Sequence, residues 1–214
     1  MKKIAIYNNK GGVAKTTSVI NIAYALNKAD KKTLVVDCDM QKNCYLFFLS
    51  EKSDYILPTK YKNIMHTTYD VFEKLSDSEI SEYDFILFDL PPVLDDYVIN
   101  IIQSADSVYV PLMLRRFELQ GLTNLTSVCG NKLAGIFVTM YRSKDSDVLA
   151  EFRKALGTRM MQTVIPFSET VIDSQKSGLP LEEYFEKRNV PRFLKNAWKV
   201  VDAYEKLAKE IMRR

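Results

Sequence analysis

The sequence predicts an α/β fold: one mostly parallel, twisted sheet with helices on both faces. Three observations lead there. Short apolar runs recur that are continuous rather than alternating, as strands buried on both faces require. Helical stretches separate them, so successive strands are joined by right-handed crossovers. The first run also opens straight into a glycine-rich loop that leads a helix, Asn8-Asn9-Lys10-Gly11-Gly12-Val13-Ala14-Lys15-Thr16-Thr17.

Strands are expected at Lys3–Tyr7, Thr33–Asp37, Asp84–Leu90, Ser107–Leu112, Ala134–Met140 and Met161–Ile165. Helices are expected at Lys15–Ala29, Asp96–Ser104, Glu118–Cys129 and Val148–Leu156, where apolar residues return at helical spacing. Residues 50–66, with Pro58 and many polar groups, read as a surface insertion. From Pro191 onward, Leu194, Ala197, Trp198, Val201, Tyr204, Ala208 and Ile211 recur at three- and four-residue steps. That stripe predicts an amphipathic terminal helix over about 191–212, with Pro191 in its first turn. At 214 residues the chain reads as a single domain, 1–214.

Composition narrows the function. One histidine, His66, argues against a His-rich metal site, and Cys38, Cys44 and Cys129 have neither disulfide nor zinc-ribbon spacing. No apolar run approaches the ~20 residues of a membrane span, so a reducing cytoplasm is the expected setting. Charge is uneven: residues 1–106 carry a net −3 and residues 187–214 a net +6, with all nine arginines at or after Arg115. Arg188, Arg192, Lys195 and Lys199 cluster where the last helix should start, and the last three fall at three- and four-residue steps. Charge alone leaves two expectations, a polyanion-binding surface or a solvated helix face.

The loop carries the chemistry. Small residues let backbone amides converge on an anion, and the helix behind supplies its dipole. A lysine serves the terminal phosphates and a hydroxyl serves Mg²⁺. Gly11, Gly12, Lys15 and Thr16 provide these parts in order, although Asn9 and Ala14 occupy the two glycine positions of the common pattern. A nucleotide with Mg²⁺ is therefore the expected ligand, and a P-loop NTPase the expected architecture; the choice of ATP awaits the wider match. Asp89 ends an apolar strand at its carboxyl end, where it should hold Mg²⁺ through a water. Asp37 and Asp39 end the second strand; one should reach the metal shell and the other the attacking water.

The sequence resembles the deviant Walker A ATPases of the ParA/MinD superfamily, and within it the small ParA-type partition ATPases. Lys10 matches the family's extra lysine, which implies contact with the partner's nucleotide across an ATP-sandwich dimer. Asp37-Cys38-Asp39-Met40-Gln41-Lys42-Asn43 is similar to the family's switch with Met40 in place of proline, and Tyr83–Pro92 looks like its Walker B strand. Val110-Pro111, Thr139-Met140-Tyr141, Val164-Ile165-Pro166 and Ser177-Gly178-Leu179-Pro180 continue the match. The resemblance implies that Asp39 positions water and Asp37 stands on the metal side. It places adenine near Pro166 and Phe167, where the family has a basic residue in place of Phe167; Met140 and Tyr141, at the end of the preceding strand, are expected to line the same pocket or to pack in the core.

The resemblance further implies slow ATP hydrolysis that drives DNA partition. A dimer formed on ATP binds DNA without sequence preference, and a ParB-like centromere-binding partner triggers its release. A MinD-like positioning ATPase is the main alternative. It needs a short detachable membrane tail, whereas Leu194–Ile211 with Trp198 reads as a helix packed on its own domain. A dethiobiotin synthetase-like enzyme is the third, for which residues 50–66 offer only Lys60 and Lys62.

Overall fold

The computed structural model describes residues 1–48, 56–115 and 125–214. Among them the strands are β1 (Lys2–Ile6), β2 (Thr33–Asp37), β3 (Leu57–Pro58), β4 (Ile64–Thr68), β5 (Phe85–Asp89), β6 (Ser107–Met113), β7 (Leu133–Tyr141) and β8 (Met160–Pro166). They form one sheet in the order β3-β4-β2-β5-β1-β6-β7-β8, parallel throughout except for the β3–β4 pair. All six expected strands are present.

Helices cover both faces: α1 (Lys15–Lys28), α2 (Asn43–Phe48), α3 (Tyr69–Phe72), α4 (Asp77–Ser81), α5 (Asp96–Ser104), α6 (described over 125–129), α7 (Ser146–Leu156), α8 (Thr170–Lys176), α9 (Leu181–Lys187) and α10 (Lys195–Arg213). Strand pleating divides the core. Ile4, Ile6, Val35, Leu87 and Phe137 pack with α1 and α10, while Ala5, Tyr7, Val36, Phe88 and Val138 pack with α5 and α7. Local chemistry sets the helix starts: the Asp95 carboxylate accepts the Val98 amide at 2.9 Å, and Ser76 with Glu79 forms a capping box. Gly135 marks a close approach, since a Cβ there would meet Met161 Cγ at 2.8 Å and Tyr109 Cδ1 at 3.2 Å.

Two expectations are corrected. The end of 50–66 is not part of a surface insertion: β4 pairs in parallel with β2 along its whole length, and Ile64 and His66 are buried, whereas 56–63 are half-buried or exposed. Residues 49–55 and 116–124, the latter including 118–124 of the helix expected at Glu118–Cys129, lie outside the described residues. The terminal helix begins at Lys195, not Pro191. Pro191 instead stays in the preceding turn, where its carbonyl accepts the Leu194 amide at 3.0 Å and the Trp198 indole N–H at 3.2 Å. Of the expected apolar stripe, Trp198, Val201, Tyr204, Ala208 and Ile211 are buried and Ala197 half-buried, whereas Leu194 precedes the helix and is exposed.

Candidate nucleotide site

The loop leaves the carboxyl end of central strand β1 and feeds α1, so its amides meet at the helix N-terminus. Two side chains suspend it. The Asn8 amide donates to the Pro111 carbonyl at 2.8 Å while its oxygen accepts the Lys10 amide at 3.0 Å. From the far side, the Thr139 hydroxyl donates to the Val13 carbonyl at 3.1 Å. Gly12 (φ 73°) and Ala14 (φ 67°) both take the left-handed conformation. Ala14 therefore does occupy the position where a side chain is strained. As the cap of α1 it offers no side-chain acceptor, so the first amides of the helix are left to an anion.

Lys15 is buried under this loop, its ammonium donating to the Lys10 carbonyl at 3.1 Å. Burial lowers its pKa, and the charges of Asp89 and Asp39 work against that shift. A terminal phosphate would supply the counter-charge that a single carbonyl does not. The loop opens on a cavity of about 740 Å³ lined by Gly11, Gly12, Lys15, Thr16, Asp39 and Met40 among others, a volume suited to a nucleotide. Lys10, half-buried, does not line it.

Strand register assembles the acids. Asp37 and Asp89 are direct partners across the parallel β2–β5 pair, so their side chains leave the same face of the sheet. Among the described residues neither Asp89 oxygen has a hydrogen-bond partner, although the side chain is buried. Burial first, and then the Asp37 charge, push the Asp89 carboxyl up to about 8. The Thr16 hydroxyl and Lys15 pull the other way without reaching hydrogen-bond geometry. An orphaned carboxylate beside a threonine hydroxyl at a phosphate loop fits a hydrated Mg²⁺, which keeps several waters and takes one or two carboxylates.

Asp37 has a second task. Its two oxygens accept the amides of Asp39 (2.9 Å) and Tyr45 (2.7 Å), fastening the turn and the start of α2. Asp39 lies beyond that turn on the cavity wall, with one oxygen accepting the Gln41 amide at 3.0 Å.

A second, more apolar cavity of about 210 Å³ adjoins the first, sharing Ala14, Thr17, Met140 and Gln175 with it. Pro166 and Phe167 line it with Met140, whereas Tyr141, also expected there, lines instead a cavity between β8 and α10. Met140 is held left-handed at φ 54° on the wall between the two cavities. Sequence reasoning missed Gln175, whose amide donates to the Thr17 hydroxyl at 2.6 Å across a separation of 158 residues. It also missed the suspending roles of Asn8 and Thr139.

The basic residues are more dispersed than their spacing implied. Arg192 precedes α10, so it does not share a helical face with Lys195 and Lys199. Its guanidinium pairs with buried Glu182, lies 3.8 Å from Asp202 and stacks 3.6 Å over the Trp198 ring. Arg188 lies 5.2 Å over Tyr184, while Lys195 and Lys199 are exposed.

Comparison with known proteins agrees with this geometry. The model of the "AAA domain" family matches residues 1–82 and 56–131, which together span more than half the chain. The chromosome-partitioning ATPase Soj of Treponema pallidum is 28% identical, covering 100% of this chain and 98% of its own length. The chromosome partitioning protein ParA of Myxococcus xanthus is 27% identical over 99% and 88%. Among solved structures, the cell division ATPase MinD of Pyrococcus furiosus superposes with a TM-score of 0.79 at 22% identity, covering 99% of this chain and 98% of that one. The septum site-determining MinD of Pyrococcus horikoshii, solved with Mg-ADP, gives 0.76 at 20% identity, covering 98% and 95%. Phosphate loop, paired strand-end acids and full-length similarity converge: the chain belongs to the AAA domain family and is an ATPase of the ParA/MinD type.

Proposed function

We propose that this ATPase partitions DNA, with ATP binding driving a sandwich dimer that holds DNA and slow hydrolysis releasing it. The observation that carries the reading is the pairing of a phosphate loop with an apolar rim. Around the cavity mouth Met40 (95% exposed), Val93 and Tyr97 present apolar surface to solvent. Such a rim suits burial against a second copy once nucleotide is bound. Lys10, which does not line this cavity, would act on the partner's nucleotide. Full-length similarity to partition ATPases favours DNA as the cargo, and a ParB-like centromere-binding protein is the partner that would complete the site.

In this reading the loop amides and Lys15 hold the β- and γ-phosphates. Thr16 and Asp89 would hold Mg²⁺, Asp89 through a water, with Asp37 on the metal side. The ion would neutralise charge that develops on the phosphoryl oxygens. Asp39 orients the attacking water, and the site works by positioning and electrostatics. The base lies against Met140, Pro166 and Phe167. Proposed DNA contacts begin with the basic C-terminal region, Arg188, Arg192, Lys195 and Lys199. We place the protein in the cytoplasm, on the nucleoid when ATP-bound.

Sedimentation with plasmid DNA and with anionic liposomes, each with and without ATP, tests this reading. ATP-dependent pelleting with DNA supports partition; pelleting only with liposomes replaces it with membrane positioning. Lys10→Ala should bind ATP as a monomer yet fail to dimerise. Loss of nucleotide from that monomer would put Lys10 in its own site.

A further inference from the structure

We infer that Tyr97 is a positioning residue for ATP hydrolysis: its hydroxyl holds the Cys38–Asp39 peptide and so sets the direction in which the Asp39 carboxylate meets water. This inference rests on the reading of Asp39 as the group that orients the attacking water. Tyr97 is the second residue of α5, and its hydroxyl donates to the Cys38 carbonyl at 3.4 Å, 59 residues away in the chain. The opposite edge of the same peptide is held as well, since the Asp39 amide donates to the Asp37 carboxylate at 2.9 Å. A peptide unit is a rigid plane, so bonds at its two edges fix how it is turned about the chain. The Asp39 Cα is a corner of that plane, and the side chain leaves from there.

The neighbouring bonds of the turn are local. The Asp39 carbonyl accepts the Lys42 amide at 2.9 Å, and its carboxylate accepts the Gln41 amide at 3.0 Å. The Cys38 amide continues the sheet pairing, donating to the Asp89 carbonyl at 3.0 Å. Tyr97 instead ties the turn to a separate helix, and that helix has a firm base. The Asp95 carboxylate caps it, and the buried Tyr7 hydroxyl donates at 2.9 Å to the Val93 carbonyl just before it. The Tyr97 ring meets Tyr69 edge-on, with centroids 5.2 Å apart, and Tyr69 packs in turn on Phe72 and Phe88. The hydroxyl is thus aimed from a rigid support.

Packing alone does not call for that hydroxyl. A phenylalanine would make the same edge contact with Tyr69, and Tyr97 is 39% exposed, so water is at hand for a free hydroxyl. At 3.4 Å the bond is long for an O–H donor and contributes little to folding. Contacts that serve a reaction are often long before substrate binds and shorten in the complex. A misaimed group then costs rate far more than it costs stability. Tyr97 also lines the nucleotide cavity with Cys38, Asp39 and Met40, on the rim proposed to meet a second copy. Closure of that rim would press the ring toward the Cys38 carbonyl, linking dimerisation to the aim of Asp39 through one side chain.

The test is single-turnover hydrolysis of radiolabelled ATP with Mg²⁺, beside ATP affinity by calorimetry and stability by urea unfolding. Tyr97→Phe should keep its urea midpoint and bind ATP within about twofold of wild type, yet hydrolyse it about two- to tenfold more slowly, the worth of one neutral hydrogen bond. Asp39→Ala/Tyr97→Phe should be no slower than Asp39→Ala, because the hydroxyl acts through Asp39 and the two losses are not additive. A Tyr97→Phe rate equal to wild type would overturn the positioning role while leaving Asp39 in place. So would a loss of ATP affinity or of stability as large as the loss of rate, or a further slowing by Tyr97→Phe in the Asp39→Ala background. If Asp39→Ala itself hydrolyses ATP like wild type, the reading of Asp39 falls and the role of Tyr97 with it.

Discussion

Ala14 and Gly12 offer a reciprocal experiment on the phosphate loop. Ala14 sits at φ 67° and ψ 36°, where an L side chain costs about 1–2 kcal/mol. Ala14→Gly removes that strain but restores ~0.5–1 kcal/mol of backbone freedom to the unfolded chain. The net expectation is a gain of about 0.5–1 kcal/mol, or roughly 1–4 °C in Tm for a protein of this length. Gly12 lies at φ 73°, and a Cβ built there would meet nothing within 4 Å. Gly12→Ala therefore adds strain without a clash and should lose about the same ~0.5–1 kcal/mol. Urea unfolding of the nucleotide-free protein reads both, and the unchanged m-value shows that the unfolded state is comparable. The double variant should return near wild type. A less stable Ala14→Gly protein, or a Gly12→Ala protein as stable as wild type, would refute the left-handed assignment.

The buried Asp89 carboxyl, raised to about 8 by burial and Asp37, binds its proton more tightly folded than unfolded. Its stabilising contribution is complete below about pH 4 and is lost progressively as pH rises through about 8. Without nucleotide or Mg²⁺, Asp89→Asn should thus gain on the order of 3 kcal/mol over wild type near pH 7 while losing ATP turnover. Denaturation curves that stay parallel at pH 5 and pH 8 would contradict this. Lys15→Ala should weaken ATP binding on the order of a hundredfold by calorimetry, since its charge-assisted bonds have no substitute. Asp39→Ala should retain ATP and accumulate the dimer; hydrolysis equal to wild type, with and without a partner, would remove Asp39 from the mechanism. Gly135→Ala should destabilise the protein by about 1–3 kcal/mol through its clash with Met161, read as a lower urea midpoint.

Much of this was legible in the residues because the loop and its flanking elements are local. The six continuous apolar strands and the Asn8–Thr17 loop needed no long-range information. β4 escaped because Ile64-Met65-His66-Thr67-Thr68 is not an apolar run. Its burial depends on a histidine held neutral, with a pKa lowered to about 4 and its ring 4.9 Å from Tyr45 and 5.9 Å from Phe48. The helical-face argument failed at Arg192 because a buried acid ten residues upstream, Glu182, holds it before the helix begins. Gln175 and Thr17, or Arg142 and Phe167, meet only once strand register is known. A parallel sheet sets residues from distant stretches side by side, which spacing along the chain cannot encode.

The chain's single tryptophan gives it an optical reporter. Trp198 is buried beneath the Arg192 guanidinium and donates its indole N–H to Pro191, so its emission reads the docking of the 188–194 segment. Lys199 and Asp202, which line a groove of about 780 Å³ between β8 and α10, lie one and four residues along the same helix. A ligand that drew Arg192 away from its ring would expose the indole and shift its fluorescence to the red. Binding at the groove, or the arrival of a partner there, could then be followed in real time on the unlabelled protein.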